Sequence, residues 1–223
     1  MKLAIYGAGG FAREVAPPAI EMASMAASGN AEPVDLVFVS DLAEEIGTIV
    51  NGFRVISYAA LVAERAERLV SIGIGEGAAR RAIAERCAKD GLRFAEVRAR
   101  THIRYHNVTV GEGAVVCENT IISTNSRVGR HFQANFYAFV GHDCVVGDFV
   151  TFAPRVNCNG WVVIEDDAYI GTGAMLRQGS SEKPLVIGKG ATVGMGAVVT
   201  KDVPPGVTVV GNPARVLERS TPR

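Results

Sequence analysis

The chain has 223 residues, 48% hydrophobic and 21% charged, which is enough to bury a sizeable core and too apolar for a disordered chain. Twenty-three Lys and Arg balance twenty-three Asp and Glu, so the basic excess of a nucleic-acid binder is missing. No apolar run reaches the ~18 residues of a membrane span, and the opening MKLAIYGAGG, broken at once by glycines, reads as a buried strand rather than a signal peptide. Residues 1–97 then alternate strands and helices. Lys2–Tyr6 is an apolar strand ending in Gly7-Ala8-Gly9-Gly10, and the helix after it carries Pro17-Pro18, which should kink or reset it. Val34–Val39 is a second strand, closed by Ser40-Asp41. Leu69–Ile72 is a third, ending in Gly73-Ile74-Gly75, and Ala78–Lys89 is a strong helix former. This alternation predicts a small parallel α/β domain.

From residue 108 the pattern changes to a period of six. Val110, Val116, Ile122, Val128, Ala134, Val140, Val146, Phe152, Cys158, Ile164, Ile170 and Leu176 are all apolar. The residues four places later, from Ala114 to Ala174, are uncharged and mostly small. After Leu176 the next step is eleven, so five extra residues sit in a loop around Ser180–Pro184 before the period resumes at Ile187, Val193 and Val199. One large and one small inward residue per hexad describe a triangular solenoid, with three hexads to each coil. Cys144 and Cys158 fall at inward positions. The four cysteines show no CxxC and no zinc-type spacing with His, so free buried thiols of a cytosolic protein are expected, with no metal.

His142-Asp143 occupies outward positions of the Val140 hexad, and no other hexad has a His-Asp pair there. Imidazole titrates near neutrality and suits the removal of a proton from an attacking amine, while an adjacent carboxylate holds the tautomer and stabilises the imidazolium. The competing reading is an exposed polar pair on a coil corner. Gly7-x-Gly9-x-x-Ala12 meets a loose dinucleotide fingerprint after a strand and before a helix. A domain under 100 residues cannot supply both mononucleotide-binding halves, which argues against a nicotinamide-dependent oxidoreductase.

The hexad run joined to that glycine cluster resembles the hexapeptide-repeat, left-handed β-helix sugar acetyltransferases. The branch is the sialic-acid O-acetyltransferase-like one, which includes the nucleotide-amino-sugar N-acetyltransferases of bacillosamine and perosamine pathways. The resemblance covers essentially the whole chain. It implies a Rossmann-like nucleotide-sugar-binding domain over 1–97 and a left-handed parallel β-helix over 98–223. The family's catalytic His and the acidic residue after it fall on His142 and Asp143. Asn135, seven residues earlier, matches an Asn that helps place the acceptor; the alternative is an Asn suited to a left-handed corner. A nucleotide-sugar diphosphate is implied near Gly9, Gly10 and Phe11, where several relatives have His in place of Phe11. Ser40, Asp41 and Gly75 flank the same ligand. Asp41 is an acidic residue of the kind that contacts the base, or else a helix N-cap before Leu42.

Acetyl-CoA is the implied donor, with contacts near Thr151, Thr172 and Met195. Thr151 stands where some relatives carry a second His. Lys189, Lys201 and Arg215 are the basic residues placed to meet CoA phosphates, the alternative for most of them being solvated surface charge. Trp161 and Tyr169 are expected to pack against another subunit, the alternative being stacking on an adenine, and the 179–184 loop either covers the donor groove or is a tolerated insertion. The resulting expectation is a cytoplasmic homotrimer with active sites between subunits. It acetylates the amine of a nucleotide-linked amino-deoxy sugar for lipopolysaccharide or other surface glycan, by direct transfer with His142 as base. Alternatives are an O-acetyltransferase of sialic acid or a related sugar, and a non-catalytic solenoid scaffold.

Overall fold

A continuous apolar run, buried on both faces, places the first strand at the centre of a sheet. In this computed structural model, which describes residues 2–26 and 34–218, β1 (Lys2–Tyr6) is followed by α1 (Gly10–Ala26), β2 (Asp35–Ser40), the short β3 (Ile49–Val50), β4 (Phe53–Ser57), α2 (Tyr58–Ala63), β5 (Arg68–Ile72), α3 (Gly77–Lys89) and β6 (Arg93–Phe94). Met1 and residues 219–223, the outer ends of the two expected domains, lie outside the described residues. The sheet order is β3-β4-β2-β1-β5-β6, parallel except for the β3–β4 hairpin. Leu3, Ile5, Leu36 and Phe38 pack beneath α1, while Ala4, Tyr6, Val37 and Val39 face the opposite layer, as the two-residue strand period requires. Strand order reverses at β1, which opens a crevice at the carboxyl ends of β1, β2 and β5.

The proline expectation needs correction. Helix α1 runs unbroken through Pro17 and Pro18. The carbonyls left without helical donors belong to Arg13 and Glu14, both exposed residues on the solvent side of the helix. A buried stripe of Ala12, Val15, Ala16, Ala19 and Ala23 holds the helix on the sheet, so packing overrides the local penalty.

From Val97 the chain winds into a parallel β-helix of three faces. The first contains Val97–Arg98, Val115–Val116, Gln133–Ala134, Thr151–Phe152, Tyr169–Ile170, Thr192–Val193 and Thr208–Val210, closed by the antiparallel Arg215–Val216. The second contains Ile103–Arg104, Ile121–Ile122, Phe139–Val140, Asn157–Cys158, Met175–Leu176 and Val198–Val199. The third contains Thr109–Val110, Arg127–Val128, Val145–Val146, Val162–Ile164 and Leu185–Ile187. Register advances by one coil, as in Val116↔Ala134 and Ala134↔Phe152. The hexad residues from Val116 to Leu176 and their small partners fill one continuous core.

The corners explain the period further. Asn107, Asn119, Asn125, His131, Tyr137, Asp143, Phe149, Arg155, Trp161 and Asp167 all have φ between 53° and 61°, with Gly113 and Gly173 in the same series. Each coil turns through one left-handed residue per corner. Backbone bonds to the preceding coil, such as Asp143 N–H to Thr124 O at 3.0 Å and Tyr137 N–H to Glu118 O at 3.0 Å, hold even bulky side chains there against their intrinsic preference.

The α/β domain sits on the first face. Val97, Val115 and Cys117 join the core beneath α1, and Phe149 joins the core on the α3 side. The corner between the second and third faces lies opposite.

Candidate active site

His142 and Asp143 lie on the corner between the second and third faces, after strand Phe139–Val140. Asp143 is the left-handed residue of that corner (φ 56°), a conformation that turns its carboxylate back onto the preceding side chain. His142 Nδ1 meets Asp143 Oδ2 at 2.7 Å. A carboxylate accepts only, so Nδ1 carries the proton and Nε2 keeps a free lone pair. The bond from His142 and a second from Asn125 hold the Asp143 carboxyl below its usual range. Asn125 Nδ2 donates to Asp143 Oδ1 at 3.1 Å, and Asn107 Nδ2 donates to Asn125 Oδ1 at 3.2 Å. The three left-handed residues thus form a ladder along the corner.

Two further features shape this corner. The next coil places Gly160 under the imidazole and Trp161 edge-on to it, with ring centroids 6.3 Å apart. Beneath them runs the 179–184 loop, with Gly179 N–H bonded to Gly160 O at 3.0 Å. The loop therefore begins two coils below His142 on the same corner.

Asn135 stands at the other end of strand Phe139–Val140, on the corner between the first and second faces. Its amide donates to Phe152 O at 3.1 Å. The left-handed position of that turn is Tyr137 rather than Asn135, so corner strain does not account for this Asn.

The crevice at the carboxyl ends of β1, β2 and β5 is an open cavity of about 510 Å³. Gly9, Gly10, Phe11, Ser40, Asp41 and Gly75 all line it, so every residue assigned to the nucleotide from sequence is brought together. The first turn of α1 opens into it, which favours an anion. Gly73 lets α1 approach, since a Cβ there would lie 2.7 Å from Ala12. The N-cap alternative for Asp41 does not hold. No helix follows, and Ser40 Oγ accepts the Leu42 N–H at 3.0 Å. Asp41 instead accepts from the Tyr6 hydroxyl and from Arg86 Nη1, at 3.1 Å to each carboxylate oxygen in the latter case. Burial, with the Asp41 bond second, pushes the Tyr6 hydroxyl well above its ordinary pKa. Arg86 also lies 3.5 Å above the Tyr58 ring. Tyr6 and Arg86 carry no motif that would have flagged them.

The donor residues scatter. Thr172 and Met195 are exposed and stacked on the corner that holds Asn135, with Gly196 N–H bonded to Thr172 O at 2.8 Å. Lys201 and Arg215 flank a cavity of about 230 Å³ at the end of the coil. Lys189 is exposed on the third corner. Thr151 is corrected outright: it is buried on the first face, where its hydroxyl accepts from Arg80 at 2.9 Å and donates to Gly75 O at 2.9 Å. It has no free polar atom for a donor. The thiols are buried too: burial pushes Cys87 up to about 11 and Cys117 up to about 12, too high for a thiolate nucleophile, and Cys144, held down by its bond with Cys158, is enclosed in the coil interior.

Residues 2–87 match the PglD N-terminal domain family. Over the whole length, the chain is 42% identical to a GDP-perosamine N-acetyltransferase of Escherichia coli O157:H7, covering 97% of this chain and 96% of the relative. WeeI from Acinetobacter baumannii AYE superposes with a TM-score of 0.89 at 43% identity, covering 97% of this chain and 100% of that one. The acetyltransferase domain of PglB from Neisseria gonorrhoeae FA1090, in complex with acetyl coenzyme A, superposes with a TM-score of 0.81 at 30% identity over 97% and 98% of the two chains.

Proposed function

The chain belongs to the hexapeptide-repeat sugar acetyltransferases, in the branch of nucleotide-amino-sugar N-acetyltransferases, and from that premise we propose that it transfers the acetyl group of acetyl-CoA to the amine of a GDP-linked amino-deoxy sugar of the perosamine type. The observation that carries the chemistry is the 2.7 Å bond between His142 Nδ1 and Asp143. With Nδ1–H donated to the carboxylate, Nε2 is the basic atom. The sugar amine attacks the thioester carbonyl, Nε2 takes the proton the nitrogen sheds, and the C–N bond forms. The C–S bond breaks as the intermediate collapses, and the imidazolium returns its proton to the departing thiolate. Asp143 stabilises the imidazolium meanwhile. No acyl-enzyme is needed, in keeping with the buried thiols.

The α1 N-terminus faces the diphosphate, Asp41 with Arg86 faces the base, and Asn135 helps place the acceptor. Thr172, Met195 and the basic residues Lys189, Lys201 and Arg215 belong to the donor side.

Geometry also supports a homotrimer. Within one chain the nucleotide domain sits on the first face, while His142 lies on the corner opposite it. The two halves of the site meet only when a second coil brings its corner to the first chain's cavity. The free faces suit such packing: Ile103, Val145 and Met175 point outward from them, 46%, 44% and 51% exposed. A cytoplasmic setting agrees with four unpaired buried thiols.

The test is a thiol-release assay with acetyl-CoA and a panel of GDP-, UDP- and dTDP-linked amino sugars, beside free sialic acid. Turnover on a GDP-linked amine that collapses in His142→Asn is expected. Activity confined to a free sugar hydroxyl would overturn this reading.

A further inference from the structure

Two arginines of the α/β domain are completely buried, Arg68 and Arg80, and they are satisfied in opposite ways. Arg68 meets carboxylates: Asp35 at 2.8 Å and Glu64 at 2.7 and 2.9 Å. Arg80 meets none. Its Nε donates to His131 O at 3.0 Å. Nη1 donates to Ile74 O at 2.8 Å, Gly75 O at 3.1 Å and Gln133 Oε1 at 2.9 Å. Nη2 donates to Phe149 O at 2.7 Å and Thr151 Oγ1 at 2.9 Å, with Val150 O at 3.4 Å. The nearby acids are occupied: Asp167 holds Arg81 at 2.9 and 3.0 Å, and Glu76 caps α3 through the Ala78 and Ala79 N–H groups. Burying a cation among neutral acceptors is costly, and an arginine needed only as a tie would be better served by a carboxylate, as Arg68 is.

The direction of these bonds gives Arg80 a second role. Ile74 and Gly75 are consecutive, yet both carbonyls converge on Nη1, whereas carbonyls in an extended strand alternate. Gly75 O also accepts from Thr151, and Ile72 O accepts from Gln133 Nε2 at 2.7 Å. A trans peptide sets N–H opposite its C=O. With both carbonyls turned into the joint, the N–H groups of Gly75 and Glu76 turn away from it, towards the cavity that these residues line. Neither N–H has a hydrogen-bond partner among the described residues. Two successive unpaired N–H groups on one side of the chain make an anion-binding concavity, and a buried guanidinium stands behind it.

We infer that Arg80 is a positioning residue for the nucleotide diphosphate: held by Gln133 and Thr151 of the coil, it turns the Gly75 and Glu76 N–H groups onto one phosphate, across the cavity from the α1 N-terminus. This rests on the nucleotide-sugar reading above. It also explains why the α/β domain is docked where it is, since the coil supplies the groups that preset the cavity wall.

The test measures binding of GDP, and separately of CoA, to the full-length protein by calorimetry, with thermal melting of each variant. Thr151→Val removes the hydroxyl at constant shape and Thr151→Ser restores it; Arg80→Lys keeps charge without the fork. GDP affinity is expected to fall at least tenfold in Arg80→Lys and several-fold in Thr151→Val. It should recover in Thr151→Ser, with CoA affinity within twofold throughout. In turnover, the KM for the nucleotide sugar should rise while kcat holds. Unchanged GDP affinity in folded Arg80→Lys and Thr151→Val, or a parallel loss of GDP and CoA affinity with melting temperature, would overturn the inference. Wild-type protein that binds CoA but no nucleoside diphosphate would instead overturn the nucleotide-sugar reading beneath it.

Discussion

The imidazole of His142 rests directly over Gly160, so that a Cβ at position 160 would lie 2.4 Å from Nε2. The two residues are one coil apart. The glycine gives the ring its place and leaves the basic nitrogen uncovered, while Asp143 fixes it from the other side.

Gly160→Ala should therefore act as an active-site mutation although alanine is not a large residue. The methyl group forces the ring off its bond to Asp143, and a displacement of about 1 Å costs on the order of a hundredfold in rate. Turnover should fall by that order, with the melting temperature little changed. Full activity in Gly160→Ala would show that the ring position does not govern the chemistry.

His142→Asn should lower kcat by about two to four powers of ten, since it removes the base while the partly exposed side chain fills no place in the coil core. Asp143→Asn should cost less, as it removes the group that holds the tautomer but not the base. A ranking reversed in a steady-state assay would place the base elsewhere.

Asp41→Asn should raise the KM for the nucleotide sugar about tenfold, by weakening a charge-assisted contact. The KM for acetyl-CoA should hold. Separation of the two KM values in the same assay checks that Asp41 serves the nucleotide alone.

Chains carrying His142→Asn and chains carrying Asp41→Asn together with Arg80→Lys should complement each other. If one chain's cavity meets another's corner, unfolding and refolding an equal mixture should restore about a quarter of wild-type activity at nucleotide-sugar concentrations well below the cavity variant's raised KM, the random fraction of sites that pairs an intact cavity with an intact base. Mixtures no more active than their parents would place both halves of each site in one chain.

Stability should fall on mild acidification through His131. The ring lies between Phe94 and Phe149, with centroids 4.6 and 4.9 Å away. Burial first, then Arg80 and Arg130, lowers its pKa to about 4, with Arg81 adding to them and Asp148 opposing. The unfolded chain takes up this proton near the ordinary value of 6.5, so below it the unfolded state binds more protons and stability rises with pH. The contribution is fully present above pH 6.5 and is lost as pH falls towards 4. Melting temperature should drop across that window, and His131→Asn should flatten the slope. An equally steep slope in the variant would assign the acid sensitivity to other groups.

Much of the fold is legible because a solenoid repeats its constraint. Every hexad from Val116 to Leu176 must fill the same narrow interior, so the period of six survives in sequence even though each strand is only two or three residues long. The same step finds His142-Asp143, since an outward His-Asp pair has no core role. Applied to polar residues, an eighteen-residue step would also have picked out the Asn107–Asn125–Asp143 ladder and the glycine beneath His142. Pro17-Pro18 misleads because a local penalty says nothing of the buried alanine stripe on the same helix. Thr151 misleads because family spacing fixes its coil and face but not what the α/β domain brings against it.

By itself the sequence determined the solenoid, the α/β domain before it, the His-Asp pair and the glycine turn at the end of β1. These are written in local spacing, where a residue's neighbours along the chain are also its neighbours in space. Only the tertiary structure decided that Arg86 and Tyr6 converge on Asp41, that Arg80 is buried without a carboxylate, and that the cavity at the ends of β1, β2 and β5 and His142 lie on opposite sides of one coil. The first depends on how distant strands and helices of the α/β domain pack, and the others on how that domain docks on the coil; the contacts that join Arg80 to His131 and Thr151 span 51 and 71 positions, with no period to announce them.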